Sequence, residues 1–120
     1  MPSADQHRHK AERNKKFLDT ISREEFPEWV VVAAFYTAVH LVERLRAAAH
    51  EGHSESHQDR LDYVWERHRT IYPAYKILQN ASMLARYQSM GDFYRQLDSE
   101  AMESLILTRL DEIEQYVAGA

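Results

Sequence analysis

Apolar residues recur along this chain at the 3.6-residue spacing of a helix, and alternation of period two is absent. The pattern predicts a first helix from about Asp5 to Ser22, polar at its start, with Ala11, Phe17, Leu18 and Ile21 facing inward and residues 1–10 frayed. A second helix begins near Glu25, with Pro27 tolerated in its first turn. From Trp29 to Val42 it is apolar almost all round, the mark of a rod at the centre of a bundle. Trp29 and Tyr36 are therefore expected in the core, where cutting either to alanine costs ~3–5 kcal/mol. The end of this helix is cationic (Arg44, Arg46), which suits its dipole, and Gly52 supplies a left-handed stop.

Ser56 caps a short third helix reaching from Leu61 to about His68, and Asp59 three residues later completes a capping box. Thr70 and Pro73 mark a fresh start. A fourth helix follows from Ile71 to Gln88, with Tyr75, Leu78, Met83 and Tyr87 available for packing, and Gly91 closes it. Asp98 or Ser99 caps a fifth, whose stripe of Met102, Leu105, Ile106, Leu110, Ile113 and Val117 is either core or the seam of a dimer. The expected fold is all-α: one domain over residues 1–120, an antiparallel helical bundle of four main helices plus one short helix.

Composition agrees with this. Three glycines and three prolines are too few for a turn-rich β fold, and 44 % hydrophobic residues suffice for a core. No cysteine is present, which rules out disulfides and thiolate metal sites. The N-terminus lacks a signal-like apolar stretch, and the longest apolar run is about half the ~20 residues that span a bilayer. A cytoplasmic protein without membrane contact is expected. A net charge of −4 argues against a general DNA coater. The charge is uneven, however: residues 8–16 are basic and residues 98–114 mostly acidic, as for two helix faces that attract each other or a partner.

Candidate chemistry gathers in a few places. Tyr36, His40 and Arg44 stand at i, i+4 and i+8, a polar ridge on an otherwise apolar rod. His40 is either a satisfied structural histidine or a general acid or base. His57 and Arg60 share one side of the third helix's first turn, which either simply starts the helix or holds an anion. Arg86 beside Tyr87 either pairs with an acidic residue or turns towards the same cleft. A zinc site from His50, His53 and His57 would straddle a helix end and a loop, and no metal or other cofactor is expected. His7 and His9 fall in the frayed end. No nucleophile elbow or glycine-rich phosphate loop is present.

Taken in order, three stretches resemble the HEPN family, helical bundles of bacterial toxin–antitoxin and defence systems: "FYTAVHLVERLRAAAHEG", the serine–histidine turn "ESHQDR", and "YKILQNASMLARY". The acidic helix "DSEAMESLILTRLDEIEQYV" completes the likeness, which covers roughly residues 11 to 118. The resemblance implies a homodimer or a paired protein partner, such as a nucleotidyltransferase-type antitoxin, formed around the last helices. It also implies work on RNA, since many members are metal-independent ribonucleases and others are inert binding modules. In the nucleases an arginine is followed four to six residues later by a histidine, late in the bundle. Here no histidine follows His68. Arg44 with His50 and Arg46 with His53 meet the spacing only at the wrong end of the second helix. The expected function is a module that dimerises and binds a partner or RNA without that pair. The alternative is a divergent ribonuclease with His40 and His57 as catalytic groups and Arg60, Arg86, Arg44, Tyr36 and Tyr87 on the RNA.

Overall fold

A computed structural model describes residues 2–86 and 99–120. Among these residues there are five helices and no strand: α1 (Ala4–Thr20), α2 (Pro27–Ala48), α3 (His57–Arg67), α4 (Tyr72–Arg86) and α5. A single 3-10 turn, Arg69–Ile71, leads into α4. Helix α5 runs in three consecutive stretches: Ser99–Met102, a wide π-helical turn over Glu103–Leu107, and Thr108–Ala118.

Helix α2 is the centre, with α1, α4 and α5 packed around it and α3 laid against α4. Its Val30, Val31, Phe35 and Val42 are completely buried and meet Tyr75 and Leu78 of α4 and Leu110 and Ile113 of α5. One contiguous core results, which accounts for the near-continuous apolar run in α2. Among the described residues no helix is long and apolar enough to cross a membrane.

Several inward expectations are corrected. Phe17 and Trp29 are each 56 % exposed. In α1 the buried line is His7, Ala11 and Leu18, and Phe17 lies one residue, about 100°, off it. Trp29 sits in the first turn of α2, outside the packed core. With Phe17 and Phe26 it borders an open apolar groove at the corner between α1 and α2. Tyr36 is only partly buried at the edge of the core. Met83 is exposed because the buried stripe of α4 runs through Tyr75, Leu78 and Ser82.

The stripe of α5 is core rather than a seam: Met102, Ile106, Leu110, Ile113 and Val117 are all buried. Leu105 is not. The π turn, in which Thr108 N–H and its hydroxyl reach back to Glu103 O, widens the helix by one residue. That shift turns Leu107 inward beside Ile106 and Leu105 outward.

Helix ends also differ from expectation. The N-terminal residues, expected to be frayed, form a capped helix. Ser3 Oγ accepts from Gln6 N at 3.1 Å, and Gln6 Oε1 accepts from Ser3 N at 2.8 Å. Helix α2 stops at Ala48, four residues before Gly52. His50 takes the left-handed conformation (φ 55°), with His50 N donating to Ala47 O and Glu51 N to Arg46 O, the paired bonds of a Schellman motif. Helix α3 starts at His57, four residues earlier than the apolar pattern suggests. Ser56 Oγ accepts from Asp59 N at 3.0 Å as expected, while the Asp59 carboxylate caps Glu55 N instead of Ser56 N. Tyr87, Gln88, Gly91 and Asp98 lie outside the described residues, and with them the end of α4 and the cap of α5.

Candidate functional site

The cap at Ser56 aims the first turn of α3 at the second half of α2. His57 and Arg60, three residues apart on one helix, therefore face Glu43. Glu43 and Arg60 are both buried, Arg60 with 8 % exposure, and Arg60 Nε donates to Glu43 Oε1 at 2.8 Å. Arg60 Nη1 donates to His57 Nδ1 at 2.9 Å. A guanidinium has no acceptor, so His57 Nδ1 must be the bare nitrogen and its proton sits on Nε2. Burial holds His57 below the usual histidine range, and the charges of Arg60 and Arg86 push it further down. Burial works to raise the Glu43 carboxyl, but hydrogen bonds from Ser54 and Arg60 and the Arg60 charge outweigh it, so Glu43 stays ionised.

Aromatic rings wall this pair. The His57 ring packs 5.3 Å from Phe35 and 6.2 Å from Tyr36, centroid to centroid. Tyr75, fully buried, lies beside Arg60, and burial lifts its hydroxyl to about 12. The Arg60 guanidinium faces the Tyr75 hydroxyl and works against that rise.

His40 belongs to the same neighbourhood through a different contact. Its Nδ1 lies 3.1 Å from Nδ1 of His7, brought over by α1. One proton bridges the two nitrogens, so one ring donates and the other accepts. Burial, then His7, Lys10 and Arg60, depress His40 to about 4. His53, in the loop after α2, approaches Glu43 Oε2 at 3.8 Å and stacks on His7 at 6.1 Å.

Of the residues expected in the site, His57, Arg60 and Tyr36 are in contact, Arg86 acts on His57 through its charge, and His40 lies within range of Arg60. Arg44 faces elsewhere, into a cleft between α1 and α5 lined by Lys15, Thr37, Leu41 and Glu114. Tyr87 lies outside the described residues. Sequence reasoning passed over Glu43, took Tyr75 for packing only, left His7 in a frayed end and weighed His53 only with His50 and His57. A signal existed for the places of Glu43 and His7. Glu43 is an acid three residues after His40 on an apolar helix, and so required a buried partner. His7 falls four residues before Ala11 on the inward face of α1.

A second polar chain ties the far end together. Tyr63 donates to Glu51 Oε1 at 2.9 Å, so its oxygen is left to accept from His68 Nε2 at 3.3 Å. His68 Nδ1 then accepts from Tyr116 of α5 at 2.8 Å. This chain joins the loop after α2, the end of α3 and α5, and Arg67 closes it with Glu51 at 3.0 Å.

The fold and site together define a class: an all-α bundle with a buried carboxylate–guanidinium–imidazole chain under its central helix. No family model, curated protein or solved structure matches the chain.

Proposed function

We propose that this protein is a HEPN-like module, of the kind found in bacterial defence and toxin–antitoxin systems, that dimerises and binds a partner or RNA without cutting it. The observation that carries this reading is the commitment of Arg60. A phosphate clamp needs free donors, but here Nε is held by Glu43 and Nη1 by His57, inside the bundle. The same bond turns His57 into a neutral ring whose remaining Nε2–H is a donor, not a base. His40 is neutral until about pH 4, far from the near-neutral value that proton transfer at pH 7 favours. Donors without a base suit recognition of an anion. The exposed Arg86 beside His57 supplies the charge for RNA phosphates.

A divergent, metal-independent ribonuclease is the second reading, favoured by the convergence of His57, Arg60 and Arg86. Incubating the protein with structured RNA in EDTA separates the two. We expect no cleavage, and RNA binding that weakens several-fold in Arg86→Ala and His57→Ala. Cleavage that vanishes in His57→Ala overturns the module in favour of the nuclease.

A further inference from the structure

We propose that His7, Glu43 and His53 form a binding site for one divalent transition-metal ion of the zinc class, between the start of α1, the middle of α2 and the loop that follows it. Nothing in the reading above depends on this site. Each residue offers one donor atom, and the three atoms lie within 4.8 Å of one another. Bonds of about 2.0–2.1 Å at tetrahedral angles bring donors to roughly 3.4 Å. The gap closes by a small turn of His53, which is exposed on a loop next to Gly52.

An independent observation points to a ligand. His7 is buried, with 3 % of its surface exposed, and among the described residues its Nε2 has no hydrogen-bond partner. A buried imidazole nitrogen left bare is costly unless something occupies it. The other nitrogen, Nδ1, is tied to His40. That is the arrangement of a metal-binding histidine, whose second N–H donates to a fixed acceptor that orients the ring and raises its basicity. Glu43 is divided in the same way. Oε1 accepts from Arg60 at 2.8 Å, while Oε2 accepts the longer bond from Ser54 N at 3.5 Å and faces His53.

Two imidazoles and one carboxylate are a borderline-soft donor set that suits Zn²⁺ better than Mg²⁺ or Ca²⁺, which prefer all-oxygen ligands. Three protein ligands leave one position open. A cleft of about 550 Å³, bordered by Ser3, Ala47, His50 and Gly52 as well as the three ligands, gives an ion access to it. His40 is a positioning residue for the metal, because it reaches it only through His7.

The test uses the full chain, stripped with EDTA and titrated with Zn²⁺ by calorimetry and with Co²⁺ by visible absorption. One ion per chain is expected, with the intense d–d bands of a low-coordinate Co²⁺ site and a raised Tm. His53→Ala, an exposed position outside the core, lowers affinity at least ~10-fold, and His9→Ala, an exposed imidazole outside the cluster, leaves it unchanged. His40→Ala weakens binding about 10–100-fold but keeps the Co²⁺ spectrum. Should His7→Ala fail to fold, His53→Ala alone decides. Absence of stoichiometric binding, or affinity that survives in His53→Ala or is lost in His9→Ala, overturns the site.

Discussion

Glu43 and Arg60 are almost wholly withdrawn from water, so each is tolerable largely because the other is there. Removing one leaves a lone buried charge. Arg60→Ala is expected to lower stability by about 3–5 kcal/mol, whereas the double replacement Glu43→Leu with Arg60→Met costs much less. Urea denaturation of the three proteins at pH 7 checks this, and equal losses would mean the pair is not coupled. His57 adds a pH dependence. Protonating Nδ1 breaks the bond from Arg60, and the ring faces Arg60 and Arg86 with Phe35 and Tyr36 as neutral walls. Its folded pKa is depressed below the unfolded value of about 6.5. Its contribution is therefore whole above that pH and is lost as pH falls through the folded value. The urea midpoint is expected to drop between pH 7.5 and 5, and to drop less in His57→Asn.

At the scale of elements, helix termini carry more information than helix middles. His50 occupies the left-handed position that ends α2, where glycine meets no steric penalty. His50→Gly is expected to stabilise the protein by about 1 kcal/mol, read as a rise in Tm; a fall would mean that the His50 side chain makes a contact worth more than the strain. Within α2 itself, position along the helix decides what an aromatic residue is worth. Phe35, completely buried between His57 and Tyr75, is expected to cost ~3–5 kcal/mol when cut to alanine. Trp29→Ala, at the exposed first turn, is expected to cost under ~1 kcal/mol. Both follow from thermal denaturation. Periodicity ranks the two alike, because a run that is apolar all round does not say where its neighbours end.

For the molecule as a whole, charge and exposed apolar surface are the features that bear on partners. The basic face of α1 and the acidic face of α5 do meet, through Lys15 and Glu114 at 3.3 Å. Part of the charge asymmetry is thus spent inside the chain. The apolar stripe of α5 is used up in the core, so the proposed dimer cannot be built on it. Among the described residues, Phe17, Phe26 and Trp29 gather at one corner as a shared apolar groove, while Trp65, Ile77, Met83, Leu84 and Leu105 are exposed elsewhere. Trp29→Asp is expected to convert a dimer to a monomer in analytical ultracentrifugation without lowering Tm. An unchanged sedimentation coefficient would place the contact elsewhere.

Helix number, order and the centrality of α2 were legible because each depends on local spacing, and local spacing is what a helix converts into a face. Ser56 as the cap of α3 was legible for the same reason: the bond spans three residues. His57 and Arg60 could be put on one face from their spacing, but not given the partner that neutralises Arg60, which comes from seventeen residues earlier. The pairing of His7 with His40 bridges thirty-three residues, and no periodicity reaches that far. The π turn of α5 likewise shifted Leu105 outward because packing against α2 and α4, not propensity, chose which leucine to bury. The sequence by itself determined which segments coil and which side of each is greasy. Tertiary structure alone decided which polar groups were carried inside with those faces, since a buried charge must accept whatever partner the packing of helices delivers.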